Sequence, residues 1–167
     1  MLQKRPYCPR VFILILICLG ITYLSNAKDT LDLKKRKNII IAGNSVAYSS
    51  LMIGLNELWY KDYPKSGFHF FNDNKQWLQM DKVGHMYSCY YEGLAGIEMM
   101  KWAGYNQKEY SLIGGAYGLF IQTGVEILDG FSKEWGASPG DMTANIIGTG
   151  LAISQSLYWD EQRFIMK

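Results

Sequence analysis

Three stretches between Asp81 and Gln155 repeat small and polar residues at steps of three and four, which constrains the fold more than any other feature of the chain. Asp81, His85, Ser88 and Glu92 form the first series. Gly115, Gly118, Gln122, Glu126 and Asp129 form the second, and Asp141, Asn145, Gly148, Ala152 and Gln155 the third. Steps of three and four put side chains on one face of a helix. Small residues at a helix contact let two backbones approach closely. Three such stripes are buried together when the helices pack stripe to stripe, and the polar members then face one another. A solvent-facing stripe would be dense in Lys and Glu, whereas residues 142–158 carry no charge at all. Ionisable groups on helices with apolar outer sides turn inward and pair.

The rest of the chain fits an all-α bundle of about four helices. Helical runs are expected over residues 39–60, 78–103, 109–128 and from 138 to about 158. No run shows the strict alternation of a half-buried strand. The fourth helix has a strong start: Ser138 at the N-cap, Pro139 at N1 and Asp141 at N3. Between the first two runs lies a segment rich in aromatics, Trp59, Tyr60, Tyr63, Phe68, Phe70, Phe71 and Trp77, with the turn-forming Asn72-Asp73-Asn74. It reads either as an interfacial belt at lipid headgroups or as a loop folded onto the bundle end. The bundle is accordingly expected to be membrane-embedded or membrane-associated.

A chain of 167 residues has room for one domain. Its start looks separate from that domain. Residues 1–10 are basic, Val11 to Leu24 are apolar, and Ser25-Asn26-Ala27 supplies small residues at the exit. An apolar run of this length is shorter than the ~20 residues of a spanning helix, so residues 1–27 read as a secretory signal. An uncleaved anchor is the alternative, kept open by Lys34-Lys35-Arg36-Lys37. Residues 28–167 form the single helical domain. The net charge is +2, and the leader's Lys4, Arg5 and Arg10 carry +3 of it. The body has no basic excess of the kind that nucleic-acid binding needs. Cys8 and Cys18 lie in the leader. Cys18 follows Ile17 rather than a small residue, a poor context for lipid modification. Cys89, alone in the body, reads as a small buried hydrophobe and not as half of a disulfide.

The converging stripes define the candidate site. His85, Asp81, Glu126 and Asp129 are the candidate catalytic residues, with His85 as a general base oriented by a carboxylate. Lys82, Gln122, Asp141 and Asn145 are candidate binding residues, Lys82 as a partner for an anionic group such as a phosphate. His85 and Asp81, with Glu126 or Asp129, could equally hold a divalent metal. Each has a plainer role as well. Asp141 completes a helix cap, Asp129-Gly130 stops a helix, Asn145 joins two helices, His85 is a core histidine and His69 is structural. Gly114 and Gly118 serve plain helix packing.

The runs Asp81-Lys82-Val83-Gly84-His85, Gln122-Thr123-Gly124-Val125-Glu126, Asp129-Gly130-Phe131-Ser132 and Trp135-Gly136-Ala137-Ser138-Pro139-Gly140-Asp141, followed by Asn145 and Gly148, resemble the YfiM-like family of uncharacterised predicted periplasmic lipoproteins. The resemblance covers roughly residues 40–160. It implies a helical fold and an envelope location, periplasmic or membrane-associated, and it supplies no reaction. The same order of residues is more loosely similar to the VanZ-like membrane proteins, whose link to glycopeptide resistance implies chemistry on wall or lipid-linked molecules. The expected function is binding or processing of an envelope lipid or cell-wall precursor, with membrane lipid as a partner. The alternative is a non-catalytic structural or partner-binding protein whose polar cluster only fixes helix packing.

Overall fold

The structure, a computed structural model, describes residues 32–74 and 77–167. The leader assigned to residues 1–27 lies outside the described residues. Four long helices account for most of what is described: α1 (Leu33–Leu58), α2 (Met80–Trp102), α3 (Tyr117–Gly130) and α4 (Pro139–Trp159). The described residues contain no strand, only isolated bridges pairing Lys65 with Ser132 and Phe70 with Ala137.

The helices start and stop where local chemistry requires. Ser138 caps α4 by accepting the Asp141 backbone N–H at 3.1 Å, with Pro139 at the first helical position, where its missing N–H costs nothing. The run expected from residue 109 begins with a single turn, Gln107–Glu109. Asn106 and Glu109 form a reciprocal capping box there. A π-helical turn, Tyr110–Gly114, follows before α3. It adds a residue to the helical register, which is how π-bulges re-aim the faces they join.

α2 is the central element and packs on both α4 and α3. The contacts are made by glycines, as the stripes predicted. A β-carbon at Gly148 would collide with the Met86 carbonyl, and one at Gly118 with the Cys89 carbonyl. Gly114 faces the Gly96 carbonyl, where an added β-carbon would lie 2.7 Å from the oxygen. These are approaches of helix to helix that no larger side chain permits.

The interior is correspondingly polar. Ser111, Glu126, Ser138, Asp141, Asn145, Thr149, Gln155 and Ser156 are all buried, whereas Ile39, Ile41, Val46, Ile53, Ile113, Phe120, Ile146 and Ile147 are exposed. α1 has no buried residue. Two stretches, Leu33–Asp62 and Gln107–Gly130, are long and apolar enough to cross a membrane by length and composition. The second also packs into the bundle and carries Glu126 inward.

The far end of the bundle is closed by the C-terminal tail. Gln155 Oε1 accepts the backbone N–H groups of Arg163 and Phe164 at 2.9 and 2.7 Å. Tyr90 donates to the Phe164 carbonyl at 3.0 Å and Tyr91 to the Met166 carbonyl at 2.6 Å. Gln155, the last member of the third stripe, therefore fastens this tail.

Candidate functional site

At the other end, the first turns of α2 and α4 meet the last turn of α3. The aromatic segment between α1 and α2 folds over them. His69 and Ala137 exchange backbone hydrogen bonds with the chain opposite: Ala137 N–H donates to the His69 carbonyl at 3.0 Å, Phe71 N–H to Ala137 at 3.0 Å and His69 N–H to Gly130 at 2.9 Å. Trp135 wedges beneath, with its ring centroid 4.6 Å from that of Tyr63 and 5.8 Å from that of Tyr60. A cleft of about 600 Å³ remains, lined by carboxylates (Asp73, Asp81, Asp129, Asp141), by His85 and by an apolar rim that includes Leu55, Trp59, Met80 and Trp135.

Two hydrogen-bonded groups build its floor. The first is a charged cluster around Lys82. Its ammonium lies 2.7 Å from Asp73 Oδ1 and 3.3 Å from Asp141 Oδ1, with side chains 14, 12 and 4 % exposed. The Ser138 hydroxyl donates to Asp73 Oδ1 at 2.8 Å. Burial pushes the Asp73 carboxyl up, but hydrogen bonds from Asp141, Lys82 and Ser138 outweigh it and hold it below the ordinary value. Asp141 goes the other way: burial and then the neighbouring Asp73 push it up to about 6. The two carboxylates share a site and one proton is easily held between them.

The second group centres on His85. Its Nδ1 lies 3.1 Å from Asn145 Oδ1. The Cys89 thiol donates to the same oxygen at 3.3 Å; burial pushes that thiol up to about 12, so it stays protonated. With Oδ1 accepting from the thiol, the histidine is the donor at Nδ1, and its Nε2 turns to the cleft. There it stands 3.6 Å from Glu126 Oε1 and 3.9 Å from Asp81 Oδ1. Glu126 is buried, and its other oxygen accepts the Ser138 backbone N–H at 2.7 Å. Burial raises its carboxyl to about 7 against that hydrogen bond, so it exchanges a proton near neutral pH.

The structure thus brings His85, Asp81, Glu126, Asp141, Asn145 and Lys82 together. Asp129 lines the same cleft and accepts from the Tyr60 hydroxyl at 2.7 Å; burial raises its carboxyl too. Lys82 spends its charge on Asp73 and Asp141. Gln122 points elsewhere: its amide donates to both carboxylate oxygens of Glu92 at 3.0 and 3.1 Å, away from the cleft. His69 contacts Ser66 and the Gly67 carbonyl, each at 3.2 Å. Asp73 and Tyr60 were missed as site residues. Both lie in the aromatic segment, where Asn72-Asp73-Asn74 read only as a turn; a carboxylate held among seven aromatics was the signal available.

No curated protein and no solved structure matches the chain. A family model described as "Predicted periplasmic lipoprotein (DUF2279)" matches residues 67–156, from the aromatic segment through α4 and therefore across nearly every group in the cleft. That match takes in more than half of the chain, which belongs to this family of predicted periplasmic lipoproteins of the bacterial envelope.

Proposed function

We propose that the cleft binds or processes an envelope lipid or cell-wall precursor. The observation that carries this reading is the pairing of an apolar aromatic rim with a floor of ionisable groups. A lipid-linked molecule needs both: apolar walls for its chain and polar groups for its head. Glu126 and His85, 3.6 Å apart, are the pair suited to move a proton. The similarity to VanZ-like membrane proteins supports the same class of molecule. The floor's acids repel an unaccompanied phosphate, and Lys82 is neutralised by Asp73 and Asp141. An anionic head group would therefore need a cation to bridge it.

The test is complementation of a strain lacking the protein with His85→Ala and Glu126→Gln, each first shown to melt like the wild type. Loss of wall-antibiotic tolerance with both variants is expected. Full complementation by folded variants would sink the proposal.

A second reading is favoured by one observation: the chain of bonds from Lys82 through Asp73 to Ser138 and from Ser138 to Glu126 ties a loop to three helices. In it the cluster only fixes helix packing, a role that buried polar groups fill in some proteins. It predicts that the same variants lose stability and that no precursor binds.

A further inference from the structure

We infer that Asp81, His85 and Asp141 hold one first-row divalent cation, zinc or manganese in character, with Glu126 beside it. This goes beyond the proposed precursor site by naming its cofactor, and it rests on the cleft being a ligand site.

Three observations converge. One donor atom from each of Asp81, His85 and Asp141 lies within 4.8 Å of the others. Ligands about 2.1 Å from a common ion stand roughly 3–4 Å apart, so closure needs side-chain movements of under about an ångström at each residue. Asp81, half exposed in the first turn of α2, is free to adjust towards Asp141, which is fixed in the first turn of α4.

The second observation is the orientation of His85. A metal-bound histidine almost always donates its other ring N–H to a fixed oxygen, which sets the tautomer and aims the lone pair. Asn145 Oδ1 is such an oxygen, 3.1 Å from Nδ1, fully buried and anchored by the Cys89 thiol. Nε2 thereby faces the carboxylates with its lone pair, the form that binds a metal. It stands 3.6 and 3.9 Å from the carboxylate oxygens of Glu126 and Asp81, beyond hydrogen-bond distance, with room for an ion between them.

The third is Asp141. It is 3 % exposed and lines the cleft, yet its Oδ1 accepts no hydrogen bond. The Lys82 ammonium pairs with it loosely at 3.3 Å and sits closer to Asp73, at 2.7 Å. A buried carboxylate oxygen with so loose a partner costs stability, and a bound cation supplies a closer one. One imidazole and two or three carboxylates suit zinc, manganese or iron(II) better than the all-oxygen shells of calcium and magnesium. Asp73 is hydrogen-bonded to Lys82 and Asp129 to the Tyr60 hydroxyl, each at 2.7 Å, and both lie outside this donor set.

The test uses the full chain purified in detergent, stripped with a chelator and titrated with Zn²⁺ or Mn²⁺ alone, followed by calorimetry and by metal content after gel filtration. One equivalent is expected to bind to the wild type and to raise its melting temperature. Asp81→Asn, at a half-exposed position, is expected to weaken binding at least tenfold, and His85→Ala to abolish it. Glu92→Gln, outside the cleft, is expected to bind like the wild type. No binding by the wild type, or equal binding by Asp81→Asn and wild type, overturns the assignment. Binding of a lipid-linked precursor is measured separately with metal present, so a metal site without precursor binding defeats only the proposed function.

Discussion

His85 and Asn145, 60 residues apart, meet through Nδ1 and Oδ1 at 3.1 Å, and that contact decides which histidine nitrogen faces the cleft. Asn145→Leu removes the acceptor of both His85 and the Cys89 thiol within a buried site. Leaving such groups unpaired costs about 1–3 kcal/mol. The expected outcome is a lower melting temperature, together with loss of the Nδ1–H form in histidine ring ¹⁵N spectra. Spectra unchanged from the wild type would show that the contact does not set the tautomer.

Lys82 is the only cation between Asp73 and Asp141 among the described residues. Lys82→Met leaves two nearly buried carboxylates uncompensated, and breaking a buried pair from one side costs roughly 3–5 kcal/mol. Denaturant unfolding should show a loss of that order at pH 7. The triple variant Lys82→Met, Asp73→Asn, Asp141→Asn should recover much of it, because the stranded charges are gone. Recovery by the triple variant separates this mechanism from a packing defect at residue 82, which neutral carboxamides would not repair.

How much of this could be read from the chain differs between helices and loop. His85, Glu126, Asp141 and Asn145 were legible because the helical period alone puts each on the inward face, and the glycines beside them mark where the backbones touch. Ser138 and Pro139 announced the start of α4 by cap chemistry that acts within four residues. Asp73 was not legible. Its place depends on the aromatic segment folding back along residues 130–137 through backbone bonds that carry no side-chain signature. The pairing of Gln122 with Glu92 was hidden for a related reason. Both sit on the expected faces, but which partner each meets depends on how far one helix slides along another, and the π-turn before α3 changes that register.

Gly148 bears directly on the α2–α4 contact. A β-carbon there meets the Met86 carbonyl, which is backbone and cannot swing aside. Gly148→Ala should therefore cost at least the ~1–3 kcal/mol typical of overpacking, despite the better helix propensity of alanine. Gly150→Ala, two residues on and on the opposite side of the helix, where a β-carbon meets nothing within 4 Å, should be neutral or slightly stabilising. Equal melting temperatures for the two variants would contradict the close approach of α2 and α4.

Glu92 gives the bundle a pH dependence that lies outside the cleft. Burial raises its carboxyl from 4.5 to about 7 despite the hydrogen bond from Gln122 and the nearby His85. An acid with a raised folded value is easier to keep protonated in the fold than in the unfolded chain. Its contribution is therefore most favourable below pH 4.5 and is lost as the pH rises through 7. Glu92→Gln removes that loss while keeping a partner for Gln122. At pH 4 the variant should match the wild type. At pH 8 it should be more stable by about 1–2 kcal/mol, reduced from the ~1.4 kcal/mol per pH unit of full linkage because the carboxylate is partly solvated. Urea unfolding at the two pH values checks the sign as well as the size, since a carboxylate whose charge stabilised the fold would make the variant weaker at pH 8.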